Sequence, residues 1–262
     1  MEIVMKKWIP LFCIAIALLA CRETEKTKES DALEKIKAAG ELVLGLDDSF
    51  PPMGFRNTEN EIVGFDIDLA KEVASRLGVT LRIQPISWDA KEQELNTGKI
   101  DCIWNWMSVD SSRAAAMSLS APYLQNRMVF VVKDSAIQKV SMLAGKKIAV
   151  QNGSTAQKLL EASDAGKSAS ALIPFDDNLT ALMDLEKGGV ESVFLDEVVA
   201  DYLIAAYAKS LRVLAEEGMN EEEYAIGFRK KDLKLRDAVD SVLNTMRTDG
   251  TFAEISVKWF GK

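Results

Sequence analysis

Ser108 and Arg113 follow an apolar run, Cys102-Ile103-Trp104, that reads as a buried strand. The run passes through a small polar turn, Asn105 to Ser108, before the chain reaches the lone basic Arg113. A strand ending in exposed backbone amides, a hydroxyl and a guanidinium can grip a small carboxylate, because guanidinium pairs with carboxylate through two parallel hydrogen bonds. Each such charge-assisted bond contributes about 1.5–3 kcal/mol net, whereas Arg113 as a plain surface ion pair would contribute about 0–1 kcal/mol. Farther along, Asn152-Gly153-Ser154-Thr155 precedes a helix from about Ala156, with Ser154 or Thr155 as its N-cap. Asp196 ends an apolar strand, Glu191 to Leu195, directly ahead of another helix.

Composition narrows the chemistry. The 262 residues carry a formal charge of -8 and no histidine. An acidic chain without a basic stripe argues against nucleic acid as a partner. Without histidine there is no Ser-His-Asp or Cys-His catalysis, and most zinc sites are excluded. Nothing implies a metal or an organic cofactor.

The elements that must position these groups alternate. A helix from Ala32 to Ala39 stops at Gly40, and the strand Glu41 to Leu46 leads into Asp47-Asp48-Ser49-Phe50-Pro51-Pro52. The two prolines cannot continue a sheet ladder, so a loop starts there. After Gly64, Leu69, Val73 and Leu77 recur at helical spacing up to Gly78. A strand Thr80 to Pro85 and a helix from about Asp89 to Asn96 return to the opening run. This βαβα order predicts an α/β fold with parallel strands and ligand contacts at their C-terminal ends.

A second unit repeats the plan. Leu95 to Trp104 (LNTGKIDCIW) is echoed by Leu185 to Phe194 (LEKGGVESVF), and Gly40-Glu41-Leu42-Val43 by Gly145-Lys146-Lys147-Ile148. Two echoes in the same order suggest two α/β lobes. Asn126 to Val132 is a strand crossing between them, and Tyr224 to Phe228 returns the chain. The closing helices, Leu233 to Thr248 and Thr251 to Trp259, then pack on the first lobe. Residues 31–125 with 226–262 form lobe 1, residues 126–225 form lobe 2, and a cleft lies between them.

The N-terminus reads as targeting. Lys6 and Lys7 precede an apolar run, Trp8 to Ala20, too short to span a bilayer, which is signal-peptide grammar over residues 1–20. Leu18-Leu19-Ala20-Cys21 resembles the lipobox of bacterial lipoproteins, which implies Cys21 as the lipidated first residue of the mature chain. Residues 21–30 then form a charged tether to the membrane. That leaves Cys102 as the one mature thiol not lipidated, read as a small core residue.

From about Asp31 onward the chain resembles the extracytoplasmic solute-binding proteins of the polar amino-acid class, the bacterial extracellular family 3 receptors of ABC importers. The resemblance rests on Asp47 to Pro52, Gly64-Phe65-Asp66-Ile67-Asp68-Leu69, Gly98-Lys99-Ile100-Asp101, Arg113 followed by Ser118 to Tyr123, Gly153-Ser154-Thr155, and the ending Arg247 to Thr251 with Lys258-Trp259-Phe260-Gly261. It implies the type II periplasmic-binding-protein fold and hinge closure on a free amino acid, with delivery to a permease and its ATPase by an exported, lipid-anchored monomer.

The resemblance also implies roles. Arg113 clamps the ligand carboxylate, with Ser108 adding a hydroxyl and the Thr155 amide facing it from the other lobe. Asp196 takes the ammonium, with Glu197 the rival and helix capping the plainer role. Asn105 and Trp106 offer backbone groups, and Trp106 stands where relatives carry something small. Phe50 and Trp88 wall the side chain, though aromatics in an α/β chain are usually core. Asp47 contacts the ligand's distal end, Asp48 and Glu92 add charge nearby, and Gln151 tunes the choice. An acid-rich mouth with aromatic faces suits arginine or lysine through ion pairing and cation–π contact, and glutamine nearly as well. Two other readings use the same cleft: a ligand-sensing lipoprotein, and a periplasmic cyclohexadienyl-type dehydratase. The dehydratase needs a buried general acid, and no carboxylate stands out for it in the sequence.

Overall fold

The computed structural model describes residues 31–207, 210–214 and 219–260. The expected signal peptide, tether and lipidated Cys21 lie outside these residues. Among the described residues no helix is long and apolar enough to cross a membrane.

Eight strands form the spine of one sheet. In spatial order they are Ala171–Phe175, Lys147–Gln151, Ser192–Asp196, Leu124–Val132, Met219–Phe228, Cys102–Ser108, Glu41–Leu46 and Thr80–Pro85. The three strands at each end pair in parallel. The two long central strands, Leu124–Val132 and Met219–Phe228, run antiparallel to their neighbours and to each other. Each parallel set is the frame of one lobe, and the two central strands join them. This is the two-lobed α/β fold expected from the sequence.

Burial explains why the helices sit where they do. The helix Phe65–Leu77 buries Phe65, Ile67, Leu69, Ala70, Val73 and Ala74. Each large apolar side chain in such a face contributes roughly 1.5–3 kcal/mol. Gly64 starts this helix at φ +146°, and a Cβ there would lie 2.0 Å from Met53 O, so only glycine lets the two segments close up. The close approach sets Asp66 under the strand Cys102–Ser108, where it accepts hydrogen bonds of 2.9 Å from the Trp106 amide and from Tyr123 Oη.

One local expectation fails. Asn105 to Ser108 is not a turn but the end of the strand Cys102–Ser108, which pairs Ser108 with Tyr224 and Met107 with Ala225. The register then shifts, so that Gly227 pairs with Ile103. The extra residues are taken up at Trp106, whose φ is +48°. A bulge of this kind re-aims side chains without ending the strand. The return strand is also longer than expected, running from Met219 rather than Tyr224. A short helix, Ser111–Ala116, carries Arg113 and is capped by Asp110, whose carboxylate accepts the Arg113 amide at 2.8 Å.

Candidate functional site

Asp47, Phe50, Trp88, Asn105, Trp106, Ser108, Arg113, Gln151, Thr155 and Asp196 line one cavity, joined by Met128 and Ser154, around about 310 Å³ of space. The first seven come from the lobe built on Glu41–Leu46. Gln151, Ser154, Thr155 and Asp196 come from the lobe built on Lys147–Gln151, and Met128 from a connecting strand. All ten residues singled out in the sequence therefore meet at the facing strand and helix ends.

The cavity pairs a buried cation with buried anions. Arg113 is 2 % exposed. Its Nη1 donates to Ser108 O at 2.8 Å and its Nε lies 3.6 Å from Asp110 Oδ2. Burial pushes the guanidinium down from its usual range, while Asp110, Glu222, Asp196 and Glu92 hold it up. Asp196 accepts a short hydrogen bond from Tyr224 Oη and one of 3.0 Å from Asn126 Nδ2. Burial raises its carboxyl to about 6, against the pull of Tyr224 and Arg113. Asp47 is raised by burial as well, with Ser49 and Gln151 opposing through hydrogen bonds.

The lobes touch across the cleft. Gln151 Nε2 donates to Asp47 Oδ2 at 2.6 Å, Lys91 Nζ to Gly153 O at 3.0 Å, and Lys158 Nζ to Ser112 Oγ at 2.7 Å. Gly153 (φ +66°) allows the approach, since a Cβ on it would sit 3.0 Å from Asp89 Cα. Lys91 is buried beside the Trp88 ring, 4.9 Å from its centroid, and desolvation lowers its ammonium to about 8. Three donors around the cavity, Asn105 Nδ2, Trp106 Nε1 and Thr155 Oγ1, are buried without a hydrogen-bond partner. Unpaired buried donors are costly, and these three would be satisfied by an acceptor-rich ligand.

Some expectations are redirected. Asp48 turns away to Arg56, 2.6 Å from its Nε. Glu197 pairs with Arg127 and lines a separate groove with Asp201, Phe260 and the other side of Trp106. Cys102 is buried and its thiol is pushed far up by desolvation, as a core residue's is. The sequence reading missed Met128, Lys91 and Glu222. Glu222 is buried, gives Ser108 Oγ an acceptor at 2.8 Å, and is raised to about 7 chiefly by burial. Its signal was a position two residues before Tyr224 on the returning strand, on the same face.

Residues 42–262 match the model of the bacterial extracellular solute-binding proteins, family 3. The chain belongs to this family. Among family 3 relatives, the L-cystine-binding protein TcyJ of Escherichia coli is 28% identical over 251 residues, 95% of this chain and 93% of that one. A solved ABC uptake transporter substrate-binding protein from Streptococcus pneumoniae, with bound histidine, superposes with a TM-score of 0.83 at 33% identity, covering 89% of this chain and 97% of that one. An arginine-bound ArgBP from T. maritima does so with 0.77 at 35% identity, covering 82% and 100%. These similar proteins thus hold chemically different amino acids on one scaffold.

Proposed function

We propose that this protein captures a free polar or basic L-amino acid between its lobes and delivers it to an ABC permease and its ATPase. The observation that carries the reading is the pairing, in one buried cavity, of Arg113 from one lobe with Asp196 from the other. A zwitterion needs a cation for its carboxylate and an anion for its ammonium, and this cavity offers both. Arg113, Ser108 and the Thr155 amide take the carboxylate. The amide opens a helix, Thr155–Ala162, whose N-terminal dipole favours an anion by up to about 2 kcal/mol in a partly buried site. Asp196 and the Asn105 and Trp106 backbone take the ammonium. Asp47, Gln151, Phe50 and Trp88 face the side chain, and their acidic and aromatic character favours arginine, lysine or glutamine.

In this reading the lobes divide at 125/126 and 225/226, and a ligand seated on Asp47, Ser108 and Arg113 draws Thr155 and Asp196 in by hinge closure. The protein works outside the cytoplasm as a monomer, with residues 1–20 removed and Cys21 carrying the lipid. A thermal-shift screen against the common L-amino acids tests it. Ligand at a hundred times its dissociation constant adds about 2.7 kcal/mol of stability. No shift with any of them overturns the reading.

One observation favours a second reading. The sequence offered no buried general acid, and Glu222 supplies a carboxyl raised to about 7 beside the clamp. That is the protonation range a dehydratase acid needs. Turnover of prephenate or arogenate by the purified protein would decide for catalysis.

A further inference from the structure

Four carboxylates, Asp110, Glu222, Asp196 and Glu92, act on the Arg113 guanidinium, and Asp110 lies 3.6 Å from its Nε. Glu222 Oε2 accepts from Ser108 Oγ at 2.8 Å, and the Ser108 carbonyl accepts from Arg113 Nη1 at 2.8 Å. Ser108 is therefore bonded to Glu222 through its hydroxyl and to the guanidinium through its carbonyl, and the reading above gives that hydroxyl and that guanidinium to the ligand's α-carboxylate. A hydroxyl has one hydrogen to donate. A carboxylate seated on Arg113 puts a second anion beside that hydroxyl, and Ser108 cannot donate to both. The conflict is relieved when Glu222 carries a proton. Glu222 then donates to Ser108 Oγ, and Ser108 turns its own hydrogen to the ligand.

We propose that Glu222 takes up one proton from solvent when an amino-acid α-carboxylate seats against Arg113. The step forms one O–H bond on the Glu222 carboxylate and leaves the ligand's charges unchanged. It rests on the amino-acid-binding reading. The groups around Glu222 favour it. Asp196 and Asp110 press its carboxyl upward, and Ser108 and Arg113 press it down. Asn126, its register partner on the next strand, is engaged by Asp196 and Tyr224, and the neighbouring Arg127 by Glu197. Lys158 contacts Asp110, and Lys91 acts on the same Arg113. Burial, aided by Asp196 and Asp110 and opposed by Ser108 and Arg113, brings Glu222 to about 7 before any ligand arrives. The ligand's negative charge raises it further, so above about pH 7 the complex holds more protons than the free protein. Affinity is then full below about pH 7 and falls as pH rises through and above it, by up to about tenfold per pH unit.

Titration calorimetry with L-arginine, L-lysine and L-glutamine at about pH 8, in phosphate and in Tris, measures the protons taken up. The wild type is expected to take up close to one proton per ligand. Glu222→Gln is expected to take up none and to lose the fall in affinity between about pH 7 and about pH 8. Lys91→Gln is expected to keep the uptake, which separates Glu222 from the lysine. Should Glu222→Gln fail to fold, carboxyl ¹³C NMR of the wild type reads the same event, as Glu222 moves to its acid position on adding ligand. Binding with buffer-independent heat, or uptake unchanged in Glu222→Gln, overturns the role of Glu222 alone. An absence of heat with all three ligands overturns the amino-acid reading and this inference with it.

Discussion

Gln151 Nε2 lies 2.6 Å from Asp47 Oδ2 and joins the ends of two strands that belong to opposite lobes. The other Asp47 oxygen is held within its own lobe by the Ser49 amide at 2.9 Å and the Ser49 hydroxyl at 2.6 Å. Asp47 is thus wired to one lobe and reaches across with its remaining oxygen. If the lobes close on ligand as proposed above, this bond belongs to the closed form and its energy favours it.

Gln151→Leu removes that bond and leaves the Asp47 carboxylate buried without its partner. A hydrogen bond to a charged group contributes about 1.5–3 kcal/mol, which is about tenfold to a hundredfold in the closed population. Ligand should leave faster and bind more weakly by up to that factor. Stopped-flow dissociation and the radius of gyration by small-angle scattering check this. Unchanged release and an unchanged radius would show that the contact does not hold the lobes together.

Arg113→Ala should abolish detectable binding, and it should also make stability depend on pH. Removing one partner from a buried ionic group costs about 3–5 kcal/mol because the remaining charges lose their compensation. Here the charges left behind include Asp110, Asp196 and Glu222. The last two already stand at about 6 and about 7, so both can escape the cost by protonating. The stability loss should therefore be largest near pH 8 and shrink towards pH 5. Urea unfolding of Arg113→Ala and wild type at both values measures it, and a loss independent of pH would mean these carboxylates do not feel the guanidinium.

The strands and the helices were legible because they are written locally, while the site residues were picked out by the family resemblance. Thr155 and Asp196 stand at element ends, where side-chain type and neighbours carry the signal. What stayed hidden depends on residues far apart in the chain. The polar stretch Asn105 to Ser108 looks like a turn until the return strand supplies its backbone partners at Tyr224 and Ala225. Glu222 lies in the run Asn220-Glu221-Glu222-Glu223, which reads as a solvated charge cluster. Only the pairing of that strand with Cys102–Ser108 buries Glu222 against Ser108. Met128 is one apolar residue among several on a connecting strand, with nothing local to mark it.

Trp106 holds φ at +48°, with its amide on Asp66 and its ring 4.7 Å from that of Tyr224 and 6.4 Å from that of Phe260. A side chain in this left-handed region costs of order 1–3 kcal/mol. Trp106→Ala and Trp106→Gly both lose the packed indole, which costs about 3–5 kcal/mol, but only glycine also relieves the backbone. The glycine variant should be the more stable of the two by about 1 kcal/mol. Both open the wall between the cavity and the neighbouring groove, so both should admit bulkier amino acids. Thermal melts of the pair, and a ligand screen of each, test the two halves separately. Equal stability would mean that the strain is not carried at Trp106.

Asp66 sets a pH dependence that is independent of ligand. It is fully buried, and desolvation raises its carboxyl to about 7 despite the bonds from Tyr123 and the Trp106 amide. In the unfolded chain the same carboxyl titrates near 4. Between about pH 4 and about pH 7 the folded state therefore holds a proton that the unfolded state has lost. This stabilisation is fully present below the lower value and is lost as pH rises through the upper one. One such group changes stability by about 1.4 kcal/mol per pH unit inside that window. Asp66→Asn removes the titration, keeps an acceptor oxygen for the Trp106 amide, and should flatten the profile by that slope. Chemical denaturation of both proteins at pH 5 and pH 7 gives the comparison. Parallel profiles would show that Asp66 is ionised in the folded protein throughout, and that the hydrogen bonds from Tyr123 and Trp106 outweigh its burial.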